Sequence, residues 1–242
     1  MSSVNSKQIA KNTIFLYIRM LLLLAVSLYT SRVILKVLGI DDYGIYNLIA
    51  GFVMFLAFIS NALVSAMQRY FNVALGKKDF QNYKDVFSMS INILLGLSCL
   101  ILILGESIGL WFVMTRLNIP SDRFEAAIWV YQISLFTFVA NTLRTPFHAS
   151  IIAHEKMSFY AYVSLFEVFV RLGMVFLLMI IQGDHLIMYA LLYLVVIVLV
   201  NTIYMLYCRN NFQECRYSLK KDKALFKDLI GFSGWTLLGQ AS

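Results

Sequence analysis

The sequence predicts an all-α integral membrane protein with six transmembrane helices and the start of a seventh. Three observations predict it. Of the 242 residues, 60% are hydrophobic and only 14% are charged, against about 45–50% and about 25% in soluble domains. Six apolar stretches are long enough to cross a bilayer, whose hydrocarbon core of about 30 Å needs roughly 20 helical residues. The basic residues outside those stretches fall almost entirely on one side of them. The same composition excludes disorder, and 12 Gly with 2 Pro exclude a collagen-like or low-complexity chain. The ten-residue alternating segments of a membrane β-barrel are missing.

The first stretch, Thr13–Leu35, has an apolar core longer than the roughly 7–15 residues of a signal peptide. Arg19 interrupts it and Ser31-Arg32-Val33 is a poor cleavage site, so it reads as a retained helix. Arg19 lies roughly 10 Å into the span, and Asn12 and Thr30 share its face. A polar stripe there implies contact with protein or water, or else an arginine that snorkels to the headgroups. Arg32 and Lys36 sit near the outer end as interface anchors. Asp41-Asp42 starts the second helix, where carboxylates suit a helix N-terminus.

That second span, Tyr43–Met67, carries Asn47, Gly51, Asn61, Ser65 and Gln68 on one face. The third, Val86–Met114, carries Ser88, Asn92, Cys99 and Glu106. Such residues commonly mediate helix packing, and Glu106 is near the wet outer end. In the fourth, Ala126–Pro146, Ser134, Asn141 and Thr145 align beside Arg144. Pro146 ends or kinks that helix, leaving Arg144 to line a mouth or to snorkel. The fifth, Ser158–Ile181, holds Glu167 and Arg171 at the bilayer midplane, spaced i and i+4 so that they can pair. Tyr160 and Ser164 extend their stripe. The pair either glues helices together or lines a cavity. The sixth span is Leu186–Tyr207. A seventh apolar stretch runs for fourteen residues from Leu229 to Ser242, too short to span, so the chain is expected to be one half of a longer polypeptide. The predicted organisation is a six-helix lobe at 1–208, a basic loop at 209–228 and the seventh helix beginning at 229–242.

Orientation follows from Lys and Arg. Thirteen lie on the side of the N-terminus, three (Lys36, Arg116, Arg123) on the other, and four within spans. The N-terminus is therefore expected in the cytoplasm, with the basic 209–228 loop. The net charge of +7 fits loops facing anionic lipid, and no Lys/Arg-dense face with interleaved aromatics suggests nucleic acid. Cys208 and Cys215, with six residues between them in the basic loop region, match no zinc spacing. His148 and His154 stand on a short cytoplasmic connection, and His154-Glu155 lacks the second His of HExxH. Nucleophile-elbow, P-loop and acidic metal–nucleotide motifs are missing as well. Transport is favoured over chemistry, with no cofactor and no metal expected.

Several segments are familiar together. Leu28-Tyr29-Thr30-Ser31-Arg32-Val33-Ile34-Leu35-Lys36-Val37-Leu38-Gly39 runs into Asp42-Tyr43-Gly44-Ile45-Tyr46-Asn47. Gln68-Arg69-Tyr70-Phe71, Leu75-Gly76-Lys77, Leu117-Asn118-Ile119-Pro120 with Arg123, Ile151 through Met157, and Phe232-Ser233-Gly234-Trp235 follow. Over its whole length the chain resembles the bacterial polysaccharide flippases of O-antigen and capsule pathways. These belong to the multidrug/oligosaccharidyl-lipid/polysaccharide (MOP) superfamily. The Leu38-to-Asn47 turn is the most specific part.

The resemblance implies the N-terminal lobe of a MATE-like transporter fold in the bacterial inner membrane. It implies a polyprenyl-pyrophosphate-linked oligosaccharide as substrate, alternating access, H⁺ or Na⁺ as possible coupling ion, and a polysaccharide polymerase as possible partner. Arg19, Arg144 and Arg171 become the expected phosphate-binding residues, Glu167 the group that orients Arg171 or couples an ion, and Asn61, Asn92 and Asn141 cavity-lining polar residues. Three rivals stand beside this reading. A multidrug exporter of the same fold would want an acidic cavity. A membrane-embedded glycosyl or acyl transferase would draw on His148, His154 and Glu155. A scaffold would transport nothing.

Overall fold

The structure is a computed structural model that describes residues 3–55, 57–218, 225–229 and 231. Within these, the side chains of 3–16, 18, 54, 55, 57–63 and 65 lie outside the description. The chain is an all-α membrane fold, and no strand occurs among the described residues. Helix α1 (Ser3–Phe55) holds the first expected span and the beginning of the second, separated by a kink at Gly39 with φ 80° and ψ 174°. Only glycine adopts that backbone without strain. Asp41 and Asp42 fall in the first turn after the kink. Helix α2 (Ala57–Gly76) carries the rest of the second span.

Helix α3 (Phe80–Leu104) is capped by Asp79, whose carboxylate accepts from the Asn82 N–H at 3.0 Å. The third expected span is not one regular helix. A π turn at Gly105–Gly109 interrupts it before α4 (Leu110–Arg116). The cause is Tyr131 on α5 (Phe124–Ala153), whose hydroxyl donates to the Gly105 carbonyl at 2.7 Å. A Cβ at position 109 would stand 2.2 Å from that hydroxyl oxygen, so the glycine admits the phenol.

Helix α5 also corrects an expectation. It does not end at Pro146 but runs on to Ala153, which places His148 inside a helix rather than on a connection. Proline removes one backbone donor, and packing holds the helix together around it: Pro146 is buried and Cys208 of α7 donates to the Phe147 carbonyl at 3.4 Å. Helices α6 (Met157–Leu178) and α7 (His185–Asn211) complete the bundle. The α2–α3 and α5–α6 connections end in matching turns. Lys78 and Glu155 both have φ 56°, and the N–H groups of Lys78 and Asp79, and of Glu155 and Lys156, reach back to the last helical carbonyls.

Helix α5 is central, packing most extensively on α7 and also on α2, α1 and α3. Ile49, Phe71, Tyr83, Phe87, Leu135 and Ile197 fill the interior, while Leu21, Leu28, Ile103, Trp129, Phe169 and Ile180 face outward. A greasy exterior of this kind is what lipid requires. Among the described residues five helical segments are long and apolar enough to cross a membrane: Arg19–Val53, Phe80–Arg116, Ser121–Ala153, Met157–Leu178 and His185–Asn211.

Each end of the bundle is tied. At the end carrying Gly39, Arg123 donates to both Asp42 oxygens, from Nε at 2.7 Å and from Nη2, and from Nη1 to Asp184 at 2.7 Å. Asp184 also caps α7, accepting from the Leu186 N–H at 3.0 Å. One guanidinium thus joins the kink of α1, the start of α5 and the start of α7. At the opposite, basic end, residues Phe212–Ser218 fold back on the bundle. Phe212 stacks on His154 at 3.8 Å and Glu214 pairs with His154 Nε2 at 2.7 Å. Cys215 is buried beside Ser150, and the Ser218 N–H donates to Ser88 at 3.0 Å. Cys208 and Cys215 are therefore both buried, not loop-exposed. Most of the expected seventh span lies outside the described residues.

Candidate functional site

Helices α1, α5 and α6 bring three arginines and one glutamate together inside the bundle, beside tyrosines of α7. Glu167 on α6 accepts from Arg171, one turn on, at 2.5 Å and from Arg144 on α5 at 3.3 Å. The i,i+4 spacing places the first partner, and the α5–α6 packing supplies the second. Each guanidinium also lies over a tyrosine ring: Arg171 over Tyr193 at 4.8 Å, Arg144 over Tyr204 at 5.6 Å and Arg19 over Tyr160 at 4.9 Å. Cation–π contact of this kind partly offsets the cost of a cation away from water. A chain of rings links Arg19 to the others: Tyr160 lies 5.0 Å from His148, His148 lies 5.9 Å from Tyr204, and Tyr204 lies beneath Arg144.

The charges do not cancel. Three guanidiniums less one carboxylate leave two positive charges, at a depth where an uncompensated charge costs several kcal/mol. The Nε–H groups of Arg19 and Arg171 are buried with no hydrogen-bond partner among the described residues. The arginines are nevertheless not sealed: the side chains of Arg144 and Arg171 are 24% and 33% exposed.

They open onto two adjoining hollows. One, of about 380 Å³, is lined by Ser134, Asn141, Arg144, Thr145 and His148. The other, of about 280 Å³, is lined by Ser27, Thr30, Ser31, Arg171 and Tyr189. Tyr46, Ala50 and Tyr193 border both. Arg19 is not among the residues lining either hollow and joins the cluster through Tyr160, whose ring lies 5.0 Å from that of His148.

Of the sequence-predicted residues, Arg144, Arg171, Glu167 and Asn141 thus converge, with Arg19 alongside. Asn92 is elsewhere, accepting from the Tyr217 hydroxyl at 2.8 Å at the basic end. The side chain of Asn61 lies outside the described residues. Sequence reasoning missed the aromatic wall of Tyr46, Tyr189, Tyr193 and Tyr204, and it placed His148 on a connection rather than beside that wall in α5. A signal existed, because positions 193 and 204 are eleven residues apart and share a helix face within about 20°. His154, a transferase candidate, is committed to Glu214 and Phe212. Among the described residues no group of three or more His, Cys, Asp or Glu gathers to hold a metal.

No family model matches the sequence, and no curated protein matches it. Among solved structures it is similar to the outward-facing conformation of a multidrug resistance MATE family transporter of the MOP superfamily. The TM-score is 0.74 at 14% identity, over 93% of this chain and 51% of that one. The chain thus spans about half the length of that transporter. An identity this low speaks to fold alone, and on that evidence the chain folds as an all-α membrane bundle of the MATE kind.

Proposed function

We propose that the chain is a transport lobe of a flippase that carries a polyprenyl-pyrophosphate-linked oligosaccharide from the cytoplasmic to the outer leaflet of a bacterial inner membrane. The single observation that carries this reading is the charge imbalance of Arg144 and Arg171 sharing Glu167 beside two hollows, with Arg19 over Tyr160 alongside. A pyrophosphate loses its hydration on entering low dielectric, and fixed guanidiniums replace that hydration with charge-assisted, forked hydrogen bonds. Two surplus positive charges match a dianion. Glu167, held by two arginines, orients them. The tyrosine rings offer flat amphipathic faces, and Ser134, Asn141 and Thr145 offer hydrogen bonds, for sugar rings.

The prenyl tail remains in lipid. Rocking against a second lobe supplies alternating access, driven by H⁺ or Na⁺ exchange, and a polysaccharide polymerase takes the product. The basic end, with the N-terminus, faces the cytoplasm. In this reading the chain performs no covalent chemistry.

A multidrug exporter is the second reading, favoured by the name of the similar structure. Cationic drugs call for a cavity of the opposite sign, which weighs against it. The deciding experiment replaces Arg19 and, separately, Arg171 by Ala in the full-length protein in its host. Surface glycan should disappear while protein level stays constant. Normal glycan in both variants overturns the proposal.

A further inference from the structure

A third hollow lies at the basic end, outside the arginine–tyrosine cluster. It measures about 440 Å³, within the range of pockets that hold small ligands. Its walls are Phe87 and Ile91 of α3, Phe147 of α5 and Met205 of α7, and Arg209 and Arg216 stand at its rim. The folded-back segment Phe212–Ser218 makes the remaining side. That segment is firmly seated: Phe212 and Cys215 are buried, and Tyr217 donates to Asn92 at 2.8 Å.

Its charge arrangement is specific. Glu214 is the acidic residue nearest in sequence to both arginines, and it is engaged by His154 at 2.7 Å. Among the described residues neither Arg209 nor Arg216 has an ion-pair partner.

Depth decides what such a groove accepts. Helix α7 ends at Asn211, so Arg209 sits at its edge and Met205 about 6 Å further in. Helix α3 begins at Phe80, so Phe87 and Ile91 lie about 10 Å and about 16 Å along it. The cations are at headgroup level and the apolar walls run into the hydrocarbon. Met205, within the span of α7, is 42% exposed, so the groove is open on the face that lipid covers.

We infer that this groove is a binding site for an anionic glycerophospholipid of the leaflet at the basic end. The headgroup phosphate sits between Arg209 and Arg216, and an acyl chain lies along Phe87, Ile91, Phe147 and Met205. A zwitterionic lipid brings a cation to the same rim and is disfavoured. The bound lipid would brace the folded-back segment against α3, α5 and α7.

The test is native mass spectrometry of the purified chain delipidated and then titrated with phosphatidylglycerol or phosphatidylcholine. The wild type should retain phosphatidylglycerol at least tenfold more strongly than phosphatidylcholine. Arg209→Gln/Arg216→Gln should erase that preference, Arg209→Lys/Arg216→Lys should largely restore it, and millimolar inorganic phosphate should not displace the lipid. Ile91→Trp, which fills the groove and leaves both cations, should lower phosphatidylglycerol retention independently. Arg144→Gln/Arg171→Gln should leave retention intact, so that failure of the flippase reading is told apart from failure of this one. Equal retention of the two lipids by the wild type, an unchanged preference in the Gln variant, or displacement by inorganic phosphate overturns the inference.

Discussion

Two charged clusters in this bundle follow opposite charge arithmetic. At the Gly39 end, Arg123 faces two carboxylates, Asp42 and Asp184, and three of its nitrogens are bonded to them. In the interior, one carboxylate, Glu167, serves two arginines while a third stands nearby over a tyrosine. The first arrangement is closed: every partner is protein, and three helical segments are pinned by it. The second leaves surplus positive charge and two buried Nε–H groups without a hydrogen-bond partner among the described residues, with Arg144 and Arg171 lining open space. A network that only glued helices would gain by neutralising itself, since a buried unpaired charge costs more than a paired one repays. The interior cluster keeps that cost, and the flippase proposal accounts for it as a site for an incoming anion.

The contrast breaks most visibly at Arg123. Arg123→Ala leaves Asp42, whose side chain is 11% exposed, beside Asp184 with no cation. Stability should fall by about 3 kcal/mol, seen as a lower thermal midpoint by tryptophan fluorescence, and glycan output should fall only as far as protein level does. Glu167→Gln comes next. It removes the counter-charge from Arg144 and Arg171 and should cost about 2 kcal/mol as charge-assisted bonds weaken, yet pyrophosphate affinity measured by calorimetry should rise. A fall in affinity would mean that Glu167 matters more as a positioner than as a neutraliser. Arg171→Ala should cost only about 1 kcal/mol, because Glu167 retains Arg144, while transport is lost. A large stability loss there would make the interior cluster a second clamp and erase the contrast.

Much of the fold was legible in the sequence because lipid imposes length and hydropathy on each helix. The Glu167–Arg171 pair was legible for the same local reason, one helical turn. What escaped depends on contacts distant in sequence. Arg123 meets Asp42 across 81 positions, and nothing local marks either as a partner. Pro146 carries a helix-ending signal that packing against α7 overrides. The π turn arises from a Tyr131 that hydropathy treats as one more apolar residue. The aromatic wall escaped because tyrosines in an apolar span read as core unless their faces are counted against the cations of neighbouring helices.

The flippase proposal requires surplus guanidinium charge in the interior to bind a phosphate-bearing lipid. The most direct measurement is the thermal stability of the purified protein titrated with a polyprenyl pyrophosphate, and with the matching uncharged prenol, for the wild type and for Arg144→Gln/Arg171→Gln. The pyrophosphate alone should stabilise the wild type, by about 2.7 kcal/mol at a hundredfold excess over Kd, and should leave the variant unmoved. Equal stabilisation of the two proteins, or by the two ligands, would overturn the flippase proposal.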